Sequence, residues 1–298
     1  MLEAFISFVA LGAILCHIAV AESTLQDNSQ PRHRRSVGGS ITPNKAYPFV
    51  VSISVPRVVH LCGGTIITPS VILTAGHCIY RYSNLQFSVL VRSNDLKTGG
   101  SIYKVSQKLL HEKYRKVRTS YNDIGLLKLE EPIKNIDESN EIVTLARKDE
   151  VVPVHSNATV IGWGALYNDM DQWKLDRDPN ETVEQRATSM KELLGGYTRK
   201  LRSVNIRVVP IENCKADLSI WYKNIKLSTE ICTQASKKGT CRGDSGTPLV
   251  LNERQIGIVS GSKNCGGKPT IYTNVAAYRW WIDQKVELLT HSKERTRS

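Results

Sequence analysis

The segment GTCRGDSGTP, Gly239 to Pro248, sets one serine between an aspartate and a glycine. A serine hydroxyl is a weak nucleophile until a neighbouring imidazole takes its proton, and that imidazole needs a carboxylate to fix its tautomer and steady its charge. Ser245 therefore requires a histidine and an aspartate from elsewhere in the chain. Of seven histidines, His17 and His33 fall in segments read below as removed and His291 in a charged tail, leaving His60, His77, His111 and His155. His77 stands in VILTAGHC, where an apolar strand ends in Ala75-Gly76 and Cys78 follows at once, so a disulfide could hold the backbone that carries the ring. Asp123 opens the apolar strand of YNDIGLLKL, where a partly buried carboxylate needs a hydrogen-bond partner. Together the three make nucleophilic acyl transfer the expected chemistry.

The elements that must position them are strands. Short β-branched runs separated by turn residues recur along the chain: FVVSISV, VILTAG, FSVLV, DIGLLKL, ATVIGWG, RQIGIVSG and TIYTNV. This spacing predicts an all-β sandwich or barrel. Helical periodicity is clear only at the end, where Tyr278, Ile282, Val286 and Leu289 recur at three to four residues after an Asn274 cap. Residues 165–200 break the strand rhythm, being charged, poor in β-branched residues and punctuated by Asp178-Pro179 and Gly195-Gly196, and read as a long surface loop. Asn157 and Asn180 head the glycosylation sequons Asn-Ala-Thr and Asn-Glu-Thr.

The ends and the composition set the context. With 298 residues and 41% hydrophobic content, the chain can bury a substantial core. Residues 1–21 form an apolar run closed by Ala19-Val20-Ala21, the pattern of a secretory signal peptide, which predicts a secreted protein with no membrane anchor. Residues 22–35 are polar and end in Arg32-His33-Arg34-Arg35, a pro-segment with a site for a furin-like or trypsin-like activating protease. Of seven cysteines, Cys16 leaves with the signal. Cys62, Cys78, Cys214, Cys232, Cys241 and Cys265 form an even set that implies disulfides, with fifteen connectivities open from spacing alone. No C-x-x-C pair suggests zinc. The formal charge of +12 raises polyanions as partners. The charges are dispersed, however, and the densest stretch, residues 103–118, lacks an aromatic stacking platform and reads as a solvated face, so no nucleic acid is expected.

TAGHC, DIGLLKL, GWG and CRGDSGTP, in this order, resemble the signatures of the chymotrypsin/trypsin family of serine endopeptidases from Ser36 to about Leu289. The resemblance implies two antiparallel six-stranded β-barrels with the active site in the cleft between them, a C-terminal helix and a short charged tail, residues 290–298. It implies the pairs Cys62 with Cys78, Cys214 with Cys232 and Cys241 with Cys265. It also implies His77, Asp123 and Ser245 as the catalytic triad and the N–H groups of Gly243 and Ser245 as the oxyanion hole. Cleavage after Arg35 would free the α-amino group of Ser36 to pair with Asp244. The chain would act without a cofactor on protein or peptide substrates and meet protein inhibitors.

By the same resemblance Gly239 floors the specificity pocket, where trypsins carry aspartate, and Ser262 and Thr270 wall it. Without a carboxylate, a basic side chain would bury an unpaired charge, so small to medium apolar side chains are expected. Several positions depart from the family. Ser36 replaces the usual isoleucine at the mature end, Gly76 and Gly125 stand where alanines are common and should loosen the backbone, Thr247 replaces a glycine, and Gly261 replaces a cleft tryptophan. No acidic cluster follows His77, so no metal is expected in that loop. A zymogen of a secreted endopeptidase is the expected function. The alternative is a catalytically weak or inactive homologue serving as a binding protein or cascade cofactor.

Overall fold

A computed structural model describes residues 39–43, 45–114, 122–165, 197–218, 228–235, 239–262, 265 and 269–291. Six strands close a first antiparallel barrel: β2 (Val50–Val55), β3 (Val58–Thr68), β4 (Val71–Thr74), β5 (Ser88–Val91), β6 (Ser101–Leu110) and β7 (Gly125–Leu129), in the spatial order β2-β3-β4-β7-β6-β5. Pairing of Ile53 with Val89 is part of the closure. A second barrel follows from β9 (Asn157–Gly164), β10 (Tyr197–Val209), β11 (Glu230–Gln234), β12 (Pro248–Leu251), β13 (Arg254–Ser262) and β14 (Thr270–Asn274), in the order β10-β11-β14-β13-β12-β9, with β9 and β10 paired to close it. Two short strands join its rim: β1 (Ser40–Ile41) on β10, and β8 (Thr144–Leu145) parallel to β13.

The pattern of the sequence explains the barrel walls. Val51, Ile53, Ile72, Leu73, Val89, Leu126, Ile258 and Tyr272 are fully buried, and one contiguous apolar cluster extends through strands of both barrels. Closing both sheets leaves few free edges, so backbone donors and acceptors are satisfied within each wall. Helix α1 (Gly76–Tyr80) follows β4 directly; α2 (Glu138–Glu141) and α3 (Ile211–Leu218) are short. The C-terminal helix α4 (Val275–His291) begins where the periodicity placed it: the Asn274 side chain accepts from the Ala276 N–H at 3.1 Å, and Tyr278, Ile282 and Leu289 turn inward.

Of the strands for which the sequence shows no short β-branched run, β3, β6 and β10 have a visible physical reason. Gly63 and Gly64 interrupt β3, yet the strand needs a glycine there: a Cβ on Gly63 would lie 2.1 Å from the Thr247 methyl carbon Cγ2. In β6 the lysines mask an alternation in which Val105 is buried and Lys104 exposed. And β10 begins at Tyr197, inside the stretch read as a loop, because a register shift between Tyr197 and Arg202 breaks its period. Residues 166–196 of that loop, including Asn180, lie outside the described residues, as do the signal and pro-segments and Ser36.

Candidate active site

His77 is carried by α1, one turn beyond the end of β4, and Asp123 stands two residues before β7, the strand paired with β4. The pairing of Thr74 with Gly125 brings the two side chains together. One Asp123 carboxylate oxygen accepts from the His77 backbone N–H at 2.7 Å, and the other lies 2.8 Å from His77 Nδ1. The carboxylate is fully buried. A third donor, the Ser260 hydroxyl on β13, reaches the same oxygen at 2.6 Å, and the Thr273 hydroxyl on β14 holds the Asp123 backbone carbonyl at 2.8 Å. Ser260 and Thr273 were missed in the sequence: each is one small residue in a strand of the other barrel, and only the packing of the barrels reveals the contact. With Asp123 as acceptor, Nδ1 carries the ring proton and Nε2 is left as the base. The Cys62–Cys78 disulfide, with its Cα atoms 6.3 Å apart, ties the residue after His77 to β3.

Ser245 sits half-buried in the turn before β12. Its carbonyl accepts from the Gly63 N–H at 2.8 Å, and a Cβ on the next residue, Gly246, would lie 2.3 Å from Thr74 Oγ1 and 3.2 Å from the Ala75 nitrogen. The turn is thus pressed against the residues that lead into His77. No hydrogen bond joins the Ser245 hydroxyl to the His77 ring; in free enzymes of this chemistry that contact is often long until substrate binds.

The loop from Arg242 to Thr247 is held at successive carbonyls. Ala165 N–H donates to Arg242 O at 2.7 Å, and the Thr247 N–H and hydroxyl both donate to Asp244 O, at 3.0 and 2.7 Å. His60 Nε2 donates to Gly243 O at 2.8 Å, while His60 Nδ1 accepts from the Ser52 hydroxyl at 2.8 Å. Burial pushes the His60 imidazole down to about 4, against the opposing effect of the Gly243 carbonyl, so it is neutral at pH 7. Gly243 and Gly246 adopt φ of 96° and 81°, conformations that favour glycine.

Asp244 turns inward. Its carboxylate accepts from the N–H groups of Gly164 at 2.7 Å and Cys241 at 2.9 Å, and a Cβ on Gly164 would lie 2.0 Å from one of its oxygens. Although the residue reaches the surface in part, its carboxylate faces the protein interior, and burial pushes it up to about 6 despite the two N–H donors. Beside it lies a cavity of about 30 Å³ lined by Gly39, Val160, Ala165, Arg202 and Val204 among others. The Arg202 guanidinium donates to the Gly39 carbonyl at the rim.

Ser262 and Thr270 are direct cross-strand partners on β13 and β14, and the Cys241–Cys265 disulfide closes the loop beside them. Thr240, which follows Gly239, places its hydroxyl 3.0 Å from that of Thr270, and both residues are buried, at 2% and 1% exposure. Gly239 has a φ of 147°. The remaining disulfide, Cys214–Cys232, anchors α3 to β11. Cys62, His77 and Cys78 gather three potential metal ligands within 4.8 Å, but both sulfurs belong to one disulfide and are not thiolates.

A trypsin family model matches residues 36–191 and 177–282. The chain belongs to the trypsin family of serine endopeptidases. It is 33% identical to hypodermin-B of Hypoderma lineatum over 85% of this chain and 88% of that protein, and 30% identical to a trypsin of Sarcophaga bullata over 86% and 90%. Among solved structures it resembles human heparin binding protein, with a TM-score of 0.63 and 25% identity over 83% of this chain and 95% of that one. Members of the trypsin family act on protein substrates. Among the described residues no helix is long and apolar enough to cross a membrane.

Proposed function

We propose that this trypsin-family chain is a secreted endopeptidase made as a zymogen, in which Ser245 attacks the peptide carbonyl, His77 serves first as base and then as acid, and Asp123 orients His77. One observation carries the reading: a buried carboxylate that accepts from the His77 ring, the His77 N–H and the Ser260 hydroxyl, behind a histidine whose preceding residues, Thr74 and Ala75, pack against the Ser245 turn. Gly243 and Ser245 N–H groups receive the oxyanion, each such donor being worth about 3 kcal/mol in this chemistry.

Activation follows cleavage after Arg35 by a furin-like or trypsin-like protease. Ser36 is three residues before Gly39, so its new α-amino group can span at most about 10 Å into the cavity beside Asp244. The Asp244 carboxylate, raised by burial, is the partner that amino group needs. The signal-like residues 1–21 support secretion, as does the set of three disulfides. Asn157, exposed at the start of β9, is open to glycosylation, and protein inhibitors that fill the substrate cleft are expected partners.

Specificity for small to medium apolar side chains is supported by the buried Thr240 and Thr270 pair, which stands next to Gly239 and offers no charge to a lysine or arginine. A second property has its own support: the formal charge of +12 and the likeness to a protein named for heparin binding favour retention on heparin that modest salt reverses.

Fluorophosphonate labelling before and after cleavage at Arg35 tests the reading, because the reagent reacts with a serine activated by its triad. Labelling at Ser245 only after cleavage is expected. A cleaved, correctly disulfide-bonded protein that stays unlabelled would leave a binding role in place of catalysis.

A further inference from the structure

We propose that Thr247 is a positioning residue for the oxyanion hole, acting through the peptide unit that joins Asp244 to Ser245. The inference rests on the assignment of the Ser245 N–H as an oxyanion donor. A peptide unit is planar and trans, so its C=O and N–H point in opposite directions and fixing one aims the other. The Asp244 carbonyl is the far end of the unit that carries the Ser245 N–H. It accepts two hydrogen bonds from one residue: the Thr247 backbone N–H at 3.0 Å and the Thr247 hydroxyl at 2.7 Å.

The backbone bond is available to any residue at this position, whereas the hydroxyl bond is not. Two donors on one carbonyl restrict rotation of the unit and polarise its N–H toward the substrate side. The hydroxyl works in a dry setting, since Thr247 is fully buried. The site is also built around the threonine. Its methyl carbon occupies space that a Cβ on Gly63 would enter at 2.1 Å and a Cβ on Gly162 at 3.0 Å, and those glycines belong to β3 of the first barrel and β9 of the second. The methyl wedged between them holds the side chain in place, so the hydroxyl is aimed at the carbonyl before substrate arrives. The other oxyanion donor has matching support: the Gly243 N–H belongs to the unit whose carbonyl, Arg242 O, accepts from Ala165 N–H at 2.7 Å.

Thr247→Val keeps the shape and removes the hydroxyl; Thr247→Ser keeps the hydroxyl and removes the methyl. In the protein cleaved at Arg35, Thr247→Val is expected to lower kcat about five- to tenfold with KM unchanged, and to weaken a peptide aldehyde, which forms a tetrahedral adduct, by a similar factor. Thr247→Ser is expected to retain most of both. Equal kcat and aldehyde affinity in the Val variant and the parent would overturn the proposal, as would equal losses in Val and Ser, which would make the effect one of packing. Backbone amide exchange at Gly243 to Gly246 in the Ser245→Ala background, with and without Thr247→Val, gives a readout independent of turnover. Faster exchange at Ser245→Ala in the Val variant is expected, and unchanged exchange overturns the proposal even if the parent proves inactive, an outcome that by itself would count only against the peptidase reading.

Discussion

At the scale of single residues, the proposed specificity pocket offers the sharpest test. Thr270 and Thr240 satisfy one another's hydroxyls in a dry environment, so removing one partner both opens space and leaves the other hydroxyl in search of a partner. Thr270→Gly should deepen the pocket by the volume of the threonine side chain. The expected outcome is a shift in kcat/KM toward larger apolar side chains: the ratio for a leucine or phenylalanine substrate over an alanine one should rise about tenfold or more. A profile of substrates varied only at the residue preceding the scissile bond measures it, and an unchanged ratio would mean that these threonines do not set the depth. Asp123→Asn is a harsher change. The amide cannot accept equally from His77 Nδ1, the His77 N–H and Ser260, so the ring loses its enforced tautomer and kcat should drop about 10⁴-fold at neutral pH with the fold intact.

The elements explain why some of these residues were legible and others not. His77 and Asp123 could be named because they stand at the end and at the start of visible apolar runs, Ser245 because it stands between an aspartate and a glycine, and α4 could be placed because a cap and a 3.6-residue stripe coincide. Ser260 and Thr273 sit mid-strand as ordinary small polar residues, and their role arises only when β13 and β14 of one barrel pack behind Asp123 at the mouth of the other. His60 was visible as a histidine, but its bonds to Ser52 and the Gly243 carbonyl join segments 183 residues apart. Gly76 and Gly125 were expected to loosen the backbone, and the structure gives them the opposite sense. A Cβ on Gly125 would meet Ile79 Cδ1 at 2.5 Å and the Leu109 carbonyl at 2.8 Å, and one on Gly76 would meet Ile124 backbone atoms at 3.1 Å. These glycines let α1 settle onto β6 and β7, the contact that brings His77 to Asp123. Gly125→Ala should therefore destabilise by about 1–3 kcal/mol through overpacking, read as a lower urea midpoint at unchanged slope. A stabilised Gly125→Ala variant would show that the strands can spread at no cost.

At the scale of the whole molecule, two buried ionisable groups of opposite character flank one loop, and the proposed activation should uncouple them. His60 has a folded pKa of about 4 against an ordinary 6.5, so its contribution to stability is present above pH 6.5 and is lost as pH falls through 4. Asp244 has a folded pKa of about 6 against an ordinary 3.8, so its contribution is present below pH 3.8 and is lost as pH rises through 6. Each shift corresponds to about 3 kcal/mol, since one pKa unit is worth about 1.4 kcal/mol. In the uncleaved chain the two dependences oppose each other across nearly the same window and largely cancel. An α-amino group delivered to the cavity by cleavage at Arg35 would hold Asp244 ionised and bring its pKa below the ordinary value, removing the opposing dependence and leaving that of His60. Other shifted groups, such as Asp95 with Arg199 and Lys200 and Glu112 with Lys285, are common to both forms and drop out of the difference. Urea unfolding of the Ser245→Ala variant, used to prevent self-digestion, should accordingly show that cleavage adds about 3 kcal/mol or more at pH 7 and far less at pH 4.5. Equal gains at both pH values would mean that the new terminus does not pair with Asp244, and Ser36, lacking the apolar side chain that would help bury it, would be the residue to replace with isoleucine to recover the difference.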